Sequence, residues 1–413
     1  MNDEIVEPHY MFDEILEQPT VLQRILDNWI SIKDNWSQPL HEKQWEKILI
    51  TGSGDSFCAS EVGSYAISEL SGISCYALKP LELARYRQDL FGPSTLVIVI
   101  SVSGKTPRVL EVVRQAMKYN CPILAITDNL ESPIANECSD VFYLQTAPQD
   151  SLSSSSFTGE ASAYDGYQHS VAQTKTYTAN IMALFLFACE LGLYENHPKA
   201  IIAKKQLVSL PSLIEALLSK EQLVKYKEIS QELPVQPLIF AGSGPNYGTA
   251  LFASFKAYEF AFQASFHEIE EYCHTLYFVT EGLNREEQQK GGLVQGQTGN
   301  QSPVIFFASS GASLERTKEI YPVLSDHIGA YPLVITDANI EEFEKGKNLI
   351  LETNNLLEIF TPIALIIPWQ IIIYNLAKQR GLNVNMFRGG ILTDHYVVGS
   401  LKTIRGSKIW TEK

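Results

Sequence analysis

Basic residues are in short supply in this chain. Its 413 residues carry 32 Lys and Arg against 47 Asp and Glu, a formal charge of −15. That balance excludes the broad basic faces that hold nucleic acid or anionic membranes, so neither partner is expected. It leaves room for one locally positive pocket around a small anion. Cysteine is sparse as well. The six, Cys58, Cys75, Cys121, Cys138, Cys189 and Cys273, form no CxxC pair and no dense cluster. Reduced, mostly buried thiols and a cytoplasmic location are expected. The N-terminus, Met-Asn-Asp-Glu-Ile-Val-Glu, lacks a positive segment and an apolar core and does not read as a signal peptide. The most apolar stretch, 359–376, is interrupted by Pro362, Pro368, Gln370 and Asn375. It reads as a buried helix with Pro362 near its first turn, not as a membrane span. Nucleotide fingerprints are missing too. Neither G-x-G turn continues to G-x-G-x-x-G, because Phe57 and Tyr247 stand at the third position, and there is no G-x-x-x-x-G-K-[ST]. With no HxxxH and no clustered Cys/His set, neither a metal nor a cofactor is expected.

What the chain does have is a doubled pattern. Gly52-Ser53-Gly54 and Gly242-Ser243-Gly244 each follow an apolar strand-like run and precede a helix-like one. A second apolar run then breaks into small hydroxyl residues and glycine. These runs are Val97 through Ile100 before Ser101-Val102-Ser103-Gly104, and Val304 through Phe307 before Ala308-Ser309-Ser310-Gly311. A third run ends in Ile126-Thr127-Asp128 and again in Ile335-Thr336-Asp337. Strands alternating with helical patterns give right-handed crossovers and a parallel sheet. The expected fold is α/β, with two tandem doubly wound parallel-sheet domains.

The expected boundaries are a helical segment over 1–44, a first unit over 45–194, a helical connector over 195–234, a second unit over 235–385 and a tail over 386–413. Residues 11–26 place Leu16, Val21, Leu22 and Ile25 at helical spacing. The first unit's last helix, about 176–191, is expected to end at a capping Gly192, and the second unit's at Gly381. The Gln- and Gly-rich stretch 284–302 reads as a mobile loop or lid, and the Ser-rich stretch 150–159 as a solvated loop.

A phosphate dianion needs many donors and little like charge. Hydroxyls and backbone N–H groups at a helix N-terminus supply them. Ser101-Val102-Ser103-Gly104-Lys105-Thr106-Pro107 fits, with a strand before it, a helix over about 108–119 after it, and Pro107 suited to the first turn. Ser101, Ser103 and Thr106 are placed to converge on one anion, and Gly54-Asp55-Ser56 adds a hydroxyl at a neighbouring strand end. The competing reading is a simple helix cap by Ser103 or Thr106.

At these residues the chain resembles the SIS (sugar isomerase) domain family, and more closely the two-domain isomerase half of glucosamine-6-phosphate synthase and related phosphosugar isomerases, deaminases and deglycases. The resemblance runs from Glu14-Ile15-Leu16-Glu17-Gln18-Pro19 through Gly54-Asp55-Ser56 and the S-x-S-G-x-T signature at Ser101 to Thr106. It continues in Val171-Ala172-Gln173-Thr174-Lys175, similar to V-A-S-T-K. In the second unit, Lys256-Ala257-Tyr258-Glu259 is similar to K-L-K-E and Glu271-Tyr272-Cys273-His274 to E-L-K-H. It implies flavodoxin-like SIS domains and a phosphate pocket of Ser56, Ser101, Ser103 and Thr106, with substrate contacts at Gly54, Val171 and Gln173. It implies Glu259, beside Lys256, as the base moving a proton between sugar carbons 1 and 2. His274, reaching across from a second subunit, would assist ring opening at the interface of a homodimer.

Residue reading alone agrees that Lys256 and Glu259, three apart on a helix, share a face. The alternative is an ordinary exposed pair. The chain departs from the synthase pattern in places. It enters the E-Q-P segment directly from Met1-Asn2, so glutamine hydrolysis is not expected. Arg388 through Thr393 contains no lysine where the synthase has its imine-forming one, Lys402 follows only later, and Gln168 replaces an acidic residue. The expected activity is therefore aldose–ketose isomerisation, or amine release, on a hexose 6-phosphate. The alternative is a non-catalytic phosphosugar sensor.

Overall fold

The computed structural model describes residues 10–35, 45–146, 173–234, 237–275, 302–328, 330–344 and 348–385. The two expected loops, 150–159 and 284–301, Val171, Gln168 and the tail with Arg388 and Lys402 lie outside them.

The chain opens with α1 (Tyr10–Ile32). A first unit follows: β1 (Lys47–Gly52), α2 (Asp55–Ser71), β2 (Ser74–Ala77), α3 (Pro80–Tyr86), β3 (Thr95–Ile100), α4 (Pro107–Lys118), β4 (Ile123–Thr127), α5 (Pro133–Glu137), β5 (Asp140–Tyr143) and α6 (Lys175–Tyr194). Helices α7 (Ala200–Leu217) and α8 (Lys220–Glu232) lead to the second unit. That unit comprises β6 (Leu238–Gly242), α9 (Pro245–Glu259), β7 (Ala264–His267), α10 (Ile269–Thr275), β8 (Pro303–Phe307), α11 (Leu314–Val323), β9 (Tyr331–Thr336), α12 (Glu341–Glu344), β10 (Leu349–Ile350) and α13 (Thr361–Gln379).

Each unit builds a five-stranded parallel sheet, in the order β2-β1-β3-β4-β5 and, as the same pattern, β7-β6-β8-β9-β10. This is the flavodoxin-like doubly wound order, repeated. The strands read as unbroken apolar runs because both of their faces are covered. In β3, Leu96, Ile98 and Ile100 face a central core, while Val97 and Val99 face an outer one with α4. In β8, Ile305 and Phe307 face the same central core, while Val304 and Phe306 face a separate outer cluster. One helical layer is thus shared by both sheets. Within it Tyr177 of α6 stacks on Phe252 of α9 with ring centroids 3.8 Å apart, and Phe185 meets Phe360 at 4.6 Å. α6 and α13 are long and apolar enough to cross a bilayer, and nearly all their residues are buried in this layer.

Two local expectations are corrected. Leu16 is exposed, and its neighbour Ile15 is the buried residue on α1. α6 does not stop at Gly192. It continues to Tyr194, with Glu195 as its cap. Gly192 is there for space: a Cβ on it would lie 2.6 Å from the Leu70 carbonyl oxygen of α2. Gly381 does follow α13 as expected, at φ +68°, with the Leu382 N–H donating to the Ala377 carbonyl at 3.0 Å.

Candidate functional site

In a sheet of this order the β1 and β3 crossovers leave on opposite faces, opening a crevice at the carboxyl ends of those two strands. Strand register places Gly52 beside Ile100, so Gly54-Asp55-Ser56 and the loop beginning at Ser101 flank that crevice. Gly54 holds φ +58°, a conformation only glycine takes without strain, and lets the chain turn straight into α2. Gly244 repeats the turn before α9 at φ +57°.

Ser56 and Ser101 are buried, and Ser103 and Thr106 half-buried. The Ser101 and Thr106 hydroxyls lie 2.9 Å apart. Thr106 occupies the cap position of α4, yet its side chain makes no capping bond to the helix, so it is not spent on capping. Ser103 is turned locally, accepting from the Lys105 N–H at 3.3 Å. Gly104 shapes the loop twice over. Its φ is +63°, and a Cβ there would sit 1.9 Å from Ser132 Oγ. The loop is pinned on its far side where the Ile134 N–H donates to the Gly104 carbonyl at 3.2 Å.

The second unit supplies the titratable groups. Lys256, in the last turn of α9, is fully buried. Its Nζ donates to Asp55 Oδ2 at 2.7 Å and to both Glu259 oxygens at 2.9 Å. The pair is therefore not an exposed helical pair. It is the core of a three-member cluster joining α9 to the first turn of α2, next door to Ser56. Burial works against the Lys256 charge, but Asp55 and Glu259 outweigh it and hold the ammonium above its ordinary pKa. Burial pushes the Glu259 carboxyl up to about 7, opposed by Lys256 and reinforced by Asp55 and Glu14. A carboxyl in that range suits proton transfer near neutrality.

The motif at Glu14 to Pro19 meets the one at Gln173 to Lys175. The Thr174 N–H donates to Glu14 Oε2 at 3.2 Å, Lys175 Nζ lies 2.6 Å from Glu17 Oε2, and Thr178 Oγ1 donates to Gln18 Oε1 at 2.8 Å. Burial, partly offset by Lys175, raises the Glu14 carboxyl. Gln173 accepts from Thr176 Oγ1 at 3.3 Å. His274 is not gathered into this cluster. Its side chain is 72% exposed on α10, 3.5 Å from Glu270. Asp55 and Glu14 are the members that reading for function passed over as reactive groups. Asp55 sat beside a named serine, but its partner is 201 positions away.

The chain is similar to known proteins. The SIS domain profile matches residues 43–188. The chain is 26% identical over 388 residues to the glutamine–fructose-6-phosphate aminotransferase (isomerizing) of Methanosarcina acetivorans, with 91% of this chain and 56% of that protein aligned. It thus spans little more than half of that relative's length. Among solved structures, it superposes on the C-terminal domain of the glucosamine-fructose-6-phosphate aminotransferase of Francisella tularensis with a TM-score of 0.72 at 20% identity, covering 93% of this chain and 99% of that one. The tagatose-6-phosphate ketose/aldose isomerase of Escherichia coli gives 0.67 at 18%, covering 93% and 95%. The glucosamine-6-phosphate deaminase of Thermotoga maritima gives 0.60 at 17%, covering 93% and 98%. Residues 43–188, the first unit, match the SIS domain, and the second unit repeats the first unit's sheet order.

Proposed function

We propose that this protein is a phosphosugar-processing enzyme, an aldose–ketose isomerase or an amino-sugar-phosphate deaminase or deglycase acting on a hexose 6-phosphate. One observation carries the reading: Lys256 bridges Asp55 and Glu259, which ties a carboxyl poised near neutrality to the first turn of α2, the turn that carries Ser56. The names of the similar proteins, which include isomerases and a deaminase of sugar phosphates, support the substrate class.

In this reading Ser56, Ser101, Ser103 and Thr106 donate to the phosphate, with Gly54, Val171 and Gln173 alongside. Binding energy from that end orients the carbon chain. Glu259 takes the proton from C2 of the open-chain aldose while O1 gains one, giving an enediol. The O2 proton then leaves and Glu259 returns its proton to C1, giving the ketose. With nitrogen at C2, the same transfer gives an imine that water cleaves to ketose and ammonia. Lys256 orients Glu259 and balances its charge. His274 of a second copy in a homodimer would aid ring opening.

Proton NMR of fructose 6-phosphate, glucose 6-phosphate and glucosamine 6-phosphate in deuterated water tests the reading. Deuterium is expected at C1 or C2 with the wild-type protein and not with Glu259→Gln. Tight binding without exchange would make the protein a sensor instead.

A further inference from the structure

The second unit has the same crevice, between the carboxyl ends of β6 and β8. It forms a cleft of about 260 Å³ lined by Ser243, Gly244, Ala312, Ser313, Arg316 and Glu358, among others. Its loop aligns with the first by sequence position while its backbone turns differently, the Gly311 N–H donating to the Ser309 carbonyl at 2.8 Å where the Gly104 N–H donates to the Ser101 carbonyl at 2.9 Å. The Ala308 N–H donates to the Ile335 carbonyl at 3.1 Å as the Ser101 N–H does to the Ile126 carbonyl at 3.0 Å. On that register Ala308 replaces Ser101, Gly311 matches Gly104 and Ser313 matches Thr106. A carboxylate of the chain itself lies in this loop. Glu358, just ahead of α13, accepts from the Ala312 N–H at 3.1 Å and 3.2 Å through its two oxygens, and from Ser309 Oγ at 3.3 Å. The contact is close enough that a Cβ on Gly311 would fall 1.9 Å from the Glu358 carboxyl carbon.

Glu358 is also held at its own backbone. Thr361 Oγ1 donates to the Glu358 carbonyl at 2.8 Å and accepts from Asn246 Nδ2 at 3.0 Å. Asn246 donates in addition to Ser309 Oγ at 3.3 Å. The surroundings repel a further anion. Asp337 accepts from the Ser310 N–H at 2.6 Å and its hydroxyl at 3.1 Å. Glu268 holds Ser243, and Arg316 is already bridged by Glu270 and Glu319.

We propose that the second crevice is filled from within. The Glu358 carboxylate occupies the place of a ligand's anionic headgroup, so each chain takes up one phosphorylated ligand, in the first unit, and the second crevice accepts an anion only when Glu358 is removed. The count of one rests on the proposed function; the occupancy by Glu358 does not.

Calorimetry on the full chain with inorganic phosphate as the probe tests it. Wild type is expected to bind one equivalent, and Ser101→Ala/Thr106→Ala to lose it. Adding Glu358→Ala, or the shape-preserving Glu358→Gln, to that double variant should restore one equivalent with affinity at least tenfold above the double variant's. Phosphate bound by the double variant with Glu358 in place would overturn the proposal, as would folded Glu358 variants that gain nothing. If wild type binds no phosphate while the Glu358 variants gain it, the first-unit reading fails and the occupancy by Glu358 stands. Wild-type crystals grown in sulfate give a readout that needs no variant. Sulfate confined to the first unit, with Glu358 still on Ala312, supports the proposal, and sulfate displacing Glu358 rejects it.

Discussion

Lys256 Nζ lies 2.7 Å from Asp55 Oδ2, a contact between residues 201 positions apart. It puts Asp55 and Glu259 on one shared ammonium. The groups facing Glu259 are Lys256, which lowers its pKa, and Asp55 and Glu14, which raise it. In the proposed chemistry the rate falls as pH drops below about 7, where Glu259 becomes protonated. Asp55→Asn removes one raising charge and leaves Lys256 to Glu259 alone. The acid limb of the pH–rate profile for deuterium exchange should then move to lower pH. A limb that stays in place would mean that Asp55 has no part in tuning the base.

Lys256→Met removes the cation and strands two half-buried carboxylates around a fully buried position. Breaking such a cluster from one side costs about 3–5 kcal/mol. Urea unfolding should show a loss of that order, and Asp55→Asn in the same chain should recover part of it, because the two sites share one interaction.

Ser101→Ala with Thr106→Ala removes two hydroxyls 2.9 Å apart at the crevice. Phosphosugar binding measured by calorimetry should weaken by about 2–4 kcal/mol, the worth of a few charge-assisted hydrogen bonds. An unchanged affinity would take this loop out of the site.

Glu61 of α2 gives a stability test independent of ligand. Burial raises its carboxyl to about 7, with Lys79 opposing. A carboxyl raised above its unfolded value binds the extra proton in the folded state, so stability is full below the unfolded pKa and falls as pH rises to about 7. Glu61→Gln should therefore melt higher than wild type at pH 8, by about 1–3 kcal/mol in stability, and show little difference near pH 4. Equal melting shifts at both pH values would contradict the burial of this group.

The doubled architecture was legible because glycine turns and two-sided apolar strands leave strong local marks. Val97 to Ile100 could only be a strand covered on both faces, and Gly54 and Gly244 announce the same turn twice. The hydroxyl loop was legible for the same reason. The buried state of Lys256 was not. Residues three apart on a helix look alike exposed or buried until the opposing surface is known, and that surface is the first turn of α2, far away in the chain. Gly192 misled for a related cause, since a glycine near a helix end has the same local signature whether it caps the helix or clears room for Leu70. Glu358 left no mark at all, because only the fold carries it to the Ala312 amide.

The seam between the two halves has a consequence for how such a molecule arises. α9 approaches α2 so closely that a Cβ on Gly248 would lie 2.7 Å from the Cys58 carbonyl oxygen. A lone ancestral half would have to find a second copy of itself before a lysine could meet Asp55, and dilution would undo the encounter. Fusion into one polypeptide makes that meeting permanent at any concentration, and it frees one descendant half to keep the hydroxyl loop while the other contributes Lys256 and Glu259.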